Sequence, residues 1–201
     1  MEILITLAIL IFSVIVHEVS HGLMAEKLGD YTARDAGRIT INPIPHIDPF
    51  GSILLPGLLL AVGSPIVFGS AKPVPVNFEN LRPRKLGMAL VSIVGPLSNL
   101  VLAVLFILPI AFNLVSGPVA GVWLQASILN IVLAVFNVLP IPPLDGSKIL
   151  ASMLPDGIMY KLLEMERYGF LIVLVFLFLG WLDKILLPVI NVFLALFNIR
   201  V

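Results

Sequence analysis

His17 and His21 stand four residues apart in His17-Glu18-Val19-Ser20-His21, with a glutamate directly after the first. On a helix, residues four apart lie one above the other on the same face. Both imidazoles can therefore reach one metal ion. A glutamate beside the first histidine is then placed to act as general base on a water held by zinc. The preceding residues 1–16 are nearly all aliphatic. The pair accordingly falls at membrane depth, where ionisable side chains are costly and mark function. The chain has three histidines, and two of them occupy this motif. The bland alternative is a polar pair at a helix end, hydrogen-bonded to its neighbours.

A catalytic zinc takes three protein ligands and leaves its fourth position to water. Two candidates stand out for the third. Asp145 ends the apolar segment before it, in Asn137-Val138-Leu139-Pro140-Ile141-Pro142-Pro143-Leu144-Asp145-Gly146. The prolines there prevent a regular helix and free backbone groups, and such backbone at membrane depth lines a cavity or is buried in protein. An aspartate projecting from it towards the histidine pair would complete the set. The competing reading is a solvated aspartate capping the helix that follows. His46 is the other candidate, and its proline-rich surroundings also fit a plain loop histidine. Asn137 has two open readings: it satisfies backbone freed by Pro140, or it binds a substrate carbonyl.

The elements that must position these residues are membrane helices. Only 12% of the 201 residues are charged and 59% are hydrophobic, against about 25% charged in a soluble domain. That balance defines an integral membrane protein. Formal net charge is zero and there is no basic run, so nucleic acid is not an expected partner. The chain has no cysteine, which excludes disulfides and thiolate zinc sites. The N-terminus has Glu2 in place of a basic region and no small-residue cleavage site before the histidine motif. It is expected to be a retained helix, not a signal peptide.

Apolar segments run over residues 3–28, 50–68, 86–115, 118–139, 168–182 and 185–199. The second is interrupted by Pro56-Gly57 and by Gly63-Ser64-Pro65, which argues for a re-entrant hairpin instead of a straight span. Charge supports this. With a re-entrant second segment, 11 of the 12 basic residues fall on the inner side and Lys184 alone lies outside. The same topology ends the first and fourth segments at one face, so Asp145 can meet the histidines. Residues 37–42 alternate like a short strand, and a small β element near the inner face is expected. Residues 153–167 read as an interfacial amphipathic helix. The expected fold is an all-α polytopic membrane protein with about five transmembrane helices, the re-entrant hairpin and the β element. It forms a single domain over residues 1–201, with a catalytic core at about 1–150 and a C-terminal helical pair at about 168–200.

His17-Glu18-Val19-Ser20-His21-Gly22 together with the Asn137–Gly146 run resembles the site-2 protease family of intramembrane zinc metalloproteases. Gly95-Pro96-Leu97-Ser98-Asn99 is similar to a further family segment. The stretch from Asn42 to Pro49 and Ala71-Lys72-Pro73-Val74-Pro75-Val76 resemble the compact bacterial branch. The resemblance implies one zinc per chain on His17, His21 and Asp145, Glu18 as catalytic base, and Asn137 holding substrate or the developing oxyanion. It implies, more weakly, that Asn99 lines the site. The implied substrate is a transmembrane segment of another protein, cut within the bilayer in regulated intramembrane proteolysis. The chain leaves no room for PDZ or CBS domains, so regulation through them is expected to be absent or supplied by a membrane partner. The expected location is the cell membrane, multi-pass, with the active site nearer the cytoplasmic face. An extended substrate would pair with the edge of the strand at residues 37–42, and the 50–68 hairpin would gate access. Two other classes compete: a catalytically dead binding scaffold and a metal transporter. The intact residue set disfavours the first. The clustering of ionisable groups at one depth disfavours the second.

Overall fold

The computed structural model describes residues 2–54 and 71–199. Helix α1, Glu2–Lys27, contains no proline, and its 26 residues span about 39 Å. It stops where Gly29 adopts a φ of 98°. The amide of Asp30 then donates to Ala25 O and that of Gly29 to Glu26 O, satisfying carbonyls that the last turn leaves open. Only glycine enters that left-handed region without a Cβ penalty.

A four-residue helix α2, Thr32–Asp35, follows. An irregular loop then contains a single 3-10 turn at Ile44–His46 and a π-helical stretch at Pro49–Leu54. Residues 71–77 carry no regular secondary structure. Helix α3, Arg84–Ala111 (28 residues), and helix α4, Gly117–Val138 (22 residues), pack along each other and against α1. They are about 42 and 33 Å long. Among the described residues three helices, α1, α3 and α4, are long and apolar enough to cross a membrane, whose hydrocarbon core is about 30 Å thick.

Beyond α4 the prolines expected to interrupt the chain do so. The segment between Val138 and Asp145 turns back through amide bonds from Ile141 to Leu139 O and from Leu144 to Ile141 O. Gly146 lies so close beneath it that a Cβ would stand 2.0 Å from Val138 O. Helices α5 (Asp145–Ser152), α6 (Asp156–Glu164), α7 (Gly169–Phe178) and α8 (Trp181–Leu196) complete the described chain. One apolar cluster, built on Ala103, Ile107, Ile131, Phe193 and Leu194, joins α3, α4 and α8. A second, on Met88, Ala151 and Met159, seats α5 and α6 against the start of α3.

Two expectations come out differently or only in part, and a third falls mostly outside the described residues. Among the described residues there is no strand, and residues 37–42 are irregular. The physical reason is that no strand among the described residues faces them to supply a ladder. Their neighbourhood is tied instead by single bonds, such as His46 Nε2 to Thr40 O and Arg38 Nη2 to Lys72 O. The C-terminal pair is present, but α7 has 10 residues and α8 has 16, short of the roughly 20 that a full span takes. The hairpin over residues 50–68 lies mostly outside the described residues. The amphipathic stretch is helical: α6 buries Met159 and exposes Ile158 and Tyr160.

Candidate metal centre

Three side chains from two distant parts of the chain converge. His17 and His21 project from one face of α1, and Asp145 begins α5 beneath the proline turn. Nε2 of His17 lies 3.0 Å from Nε2 of His21, and Asp145 Oδ2 lies 3.1 and 3.2 Å from the two nitrogens. All three residues are buried. Zinc bonds of about 2.0–2.1 Å in a tetrahedron require ligand atoms about 3.3 Å apart. The observed triangle fits that requirement, and its donors, two imidazoles and a carboxylate, are ones zinc accepts.

The other nitrogen of each ring is held. His17 Nδ1 donates to Asn99 Oδ1 at 2.6 Å, and His21 Nδ1 donates to the backbone carbonyl of Val91 at 2.6 Å. With the proton on Nδ1, each ring presents an Nε2 lone pair to the centre. The rings stand edge to face, 81° apart. Asp145 divides its two oxygens: Oδ2 faces the histidines, and Oδ1 lies 3.6 Å from Lys148 Nζ. Near this end of the site, burial pushes the Glu166 carboxyl above its ordinary range, against the pull of Lys148 and with a push from Asp145.

Helix α3 can come this close only because residue 95 is glycine. A Cβ there would stand 2.4 Å from His21 Nε2 and 2.7 Å from His17 Nε2. Pro96 follows and cannot donate to the carbonyl of Ser92. Glu18 is half-buried beside the histidines on α1, and its Oε2 accepts a hydrogen bond of 2.7 Å from the Val74 amide. The segment carrying Val74 is itself tied down by Arg38, whose Nη2 donates to Lys72 O and Pro73 O.

The remaining sequence candidates fall into place unequally. Asn99 is completely buried, with its oxygen on His17 and its nitrogen within α-helical packing. That position orients a ring and gives no exposed surface to a substrate. Asn137 is half-buried and donates to Leu133 O one turn back. His46 is buried in the loop with Nε2 on Thr40 O, apart from the cluster of potential metal-holding residues. Asn130 and Ser13 escaped the sequence reading, though both lie completely buried in the network behind His17. The available signal was spacing: Ser13 is one turn before His17, and Asn130 is an amide on a largely apolar helix, seven residues before Asn137.

The model of peptidase family M50 matches residues 110–180. The chain is 40% identical over 194 residues to YwhC of Bacillus subtilis, covering 90% of this chain and 84% of that one. It is 32% identical over 179 residues to Rip2 of Mycolicibacterium smegmatis, covering 87% and 66%. It is 32% identical over 178 residues to Rip2 of Mycobacterium tuberculosis, covering 84% and 66%. Each of these relatives bears the name of a zinc metalloprotease. No solved structure matches the chain. With a membrane-helix bundle around a two-histidine, one-aspartate centre, the chain belongs to the site-2 protease family, peptidase family M50. It is a zinc metalloprotease of that type and a multi-pass membrane protein.

Proposed function

We propose that this protein hydrolyses peptide bonds within or near transmembrane segments of other membrane proteins, as the protease of a regulated intramembrane proteolysis. The observation that carries the reading is the buried triangle of His17 Nε2, His21 Nε2 and Asp145 Oδ2 with sides of 3.0–3.2 Å, backed by fixed acceptors on both Nδ1 atoms. These three residues would hold one zinc ion. When bound, zinc polarises the scissile carbonyl and makes water a nucleophile near neutral pH.

The chain's own groups do the rest. Glu18, next to His17 on α1, takes the proton from the attacking water and delivers it to the leaving amide nitrogen. Asn99 keeps the His17 ring in register. Asn137 swings its amide from Leu133 O to the substrate carbonyl, where an N–H donor stabilises the developing negative charge. A transmembrane substrate hides its carbonyls in helical hydrogen bonds, so it must unwind before any of these groups reach it.

The residues of the site come from α1, α3, α4 and α5, which supports a single domain with its core in about the first 150 residues. The placement of basic residues supports five crossings with a re-entrant second segment, and an active site nearer the cytoplasmic face. The test is Glu18→Gln in purified protein. Zinc content should stay at one ion per chain while cleavage of a transmembrane substrate falls by about 100-fold or more. Loss of zinc, or persistent cleavage, would refute the assignment of Glu18.

A further inference from the structure

Behind His17 a chain of amides runs across three helices. Asn99 Nδ2 donates to Asn130 Oδ1 at 2.9 Å and to Ser13 O at 3.3 Å. Asn130 Nδ2 donates to Ser13 Oγ and to Ala126 O, both at 2.9 Å. Ser13, Asn99 and Asn130 are each 0% exposed. No water competes for their polar atoms, so each must find its match inside the protein.

The network has a direction, and one end of it is pinned. A backbone carbonyl only accepts, so the atom of Asn130 that faces Ala126 O is its amide nitrogen. Its oxygen therefore faces Asn99 and requires a donor there. Asn99 answers with its nitrogen, which leaves its oxygen towards His17. That oxygen in turn requires an N–H at His17 Nδ1. The lone pair is thereby forced onto Nε2, the atom that faces His21 and Asp145.

We propose that Asn130 is a positioning residue of the metal centre, acting through Asn99 to keep the His17 proton on Nδ1 and its lone pair on Nε2. The inference rests on the reading of His17 as a zinc ligand. Without the Asn130 oxygen, Asn99 keeps only the 3.3 Å bond to Ser13 O as a constraint on its orientation. A flipped Asn99 would offer N–H to His17 Nδ1 and drive the ring proton onto Nε2, where the metal would sit. The burial of an amide at position 130, on a largely apolar helix, gains its explanation from this role.

The experiment is zinc affinity of the detergent-purified full chain, measured by competition with a chelator, on wild type, Asn130→Leu, Asn130→Asp, Ser127→Ala and His17→Ala. Asn130→Leu keeps the branched shape and removes the acceptor, and should weaken zinc binding by about 10–100-fold. Asn130→Asp keeps an oxygen towards Asn99, and as a neutral acid donates its O–H to Ala126 O. It should bind zinc close to the wild-type level. Ser127, on the same helix as Asn130, donates to Ala103 O of α3 and is equally buried. Its alanine variant controls for loss of a buried hydrogen bond and should leave zinc affinity unchanged.

Unchanged affinity in Asn130→Leu, with zinc lost in His17→Ala, would overturn this inference and leave the ligand assignment standing. Zinc retained in His17→Ala would overturn the ligand assignment itself. Should Asn130→Leu fail to fold, the smaller Asn130→Ala carries the same prediction. Misfolding of both, with Ser127→Ala folded, would make Asn130 a purely structural residue and overturn the proposal.

Discussion

Glu18 Oε2 receives the backbone N–H of Val74 at 2.7 Å, a bond between residues 56 apart in the chain. It places the segment of residues 71–77 directly against the residue proposed as catalytic base. Val74 lies between Pro73 and Pro75, so its backbone is already restricted by the proline that follows, and a third proline removes the donor. Val74→Pro should keep its zinc and lose about tenfold or more in turnover, because a free carboxylate is no longer held at the nucleophile. Zinc analysis with a peptide-cleavage assay checks this. Full activity in the variant would show that the Val74 amide is dispensable.

Gly95 is where α3 meets the histidine pair. An added methyl would stand 2.4 Å from His21 Nε2, a distance no rotamer of alanine relieves. Helix propensity alone would make Gly95→Ala more stable by about 1 kcal/mol. The expected outcome is the opposite at the site: zinc content falls sharply while the protein remains folded and monodisperse. Normal zinc content in the variant would mean that α1 and α3 can separate without cost.

Asp145 Oδ2 lies 3.1 and 3.2 Å from the Nε2 atoms of His17 and His21 and supplies the carboxylate oxygen of the cluster. Asp145→Ala should lose zinc and activity together. In the wild type, a strong chelator should abolish cleavage, and added zinc should restore it. Retention of stoichiometric zinc in Asp145→Ala would remove Asp145 from the ligand set.

Asp30, just past the end of α1, is fully buried and gathers four donors: Thr32 N and Oγ1, Asn77 N and Asn80 Nδ2. Burial works against its charge, but the hydrogen bonds from Thr32, Asn80 and Asn77 outweigh it and hold the carboxyl below its ordinary range. A carboxyl whose folded pKa is depressed stabilises the fold fully above the unfolded value of about 3.9 and loses that stabilisation as the pH falls through the folded value. Asp30→Asn should therefore be less stable than wild type at pH 7, by about 1–3 kcal/mol. The difference should shrink below about pH 4. Thermal unfolding of both proteins across that range gives the answer. A gap that stays constant with pH would exclude a role for the charge.

Much of this centre was legible before any fold was known. The four-residue spacing of His17 and His21 requires only one helical turn to put two nitrogens together, and an aliphatic run on one side makes that turn part of a membrane helix. The prolines before Asp145 likewise announce a break that the backbone cannot avoid. Such information is local, because it depends on periodicity and on what proline and glycine allow.

The strand expected at residues 37–42 shows the opposite case. Alternation is a local pattern, but a strand exists only when a second segment supplies the ladder, and here the Thr40 carbonyl meets the His46 ring while the Gly37 and Arg38 amides turn back to Arg34 O and Ala33 O. The roles of Asn99 and Asn130 were hidden for the same reason. An asparagine has both a donor and an acceptor, and which end it offers depends on neighbours 31 and 82 residues away.

By itself, then, the sequence determined the membrane setting, the histidine pair with its glutamate, and the break that carries Asp145, since each follows from bonding within a few residues. The tertiary structure decided which aspartate oxygen meets the pair, how near α3 approaches at Gly95, and which nitrogen of His17 keeps its proton. These depend on contacts between helices, where packing distance and the pairing of buried donors with acceptors select one arrangement among many that the local sequence permits.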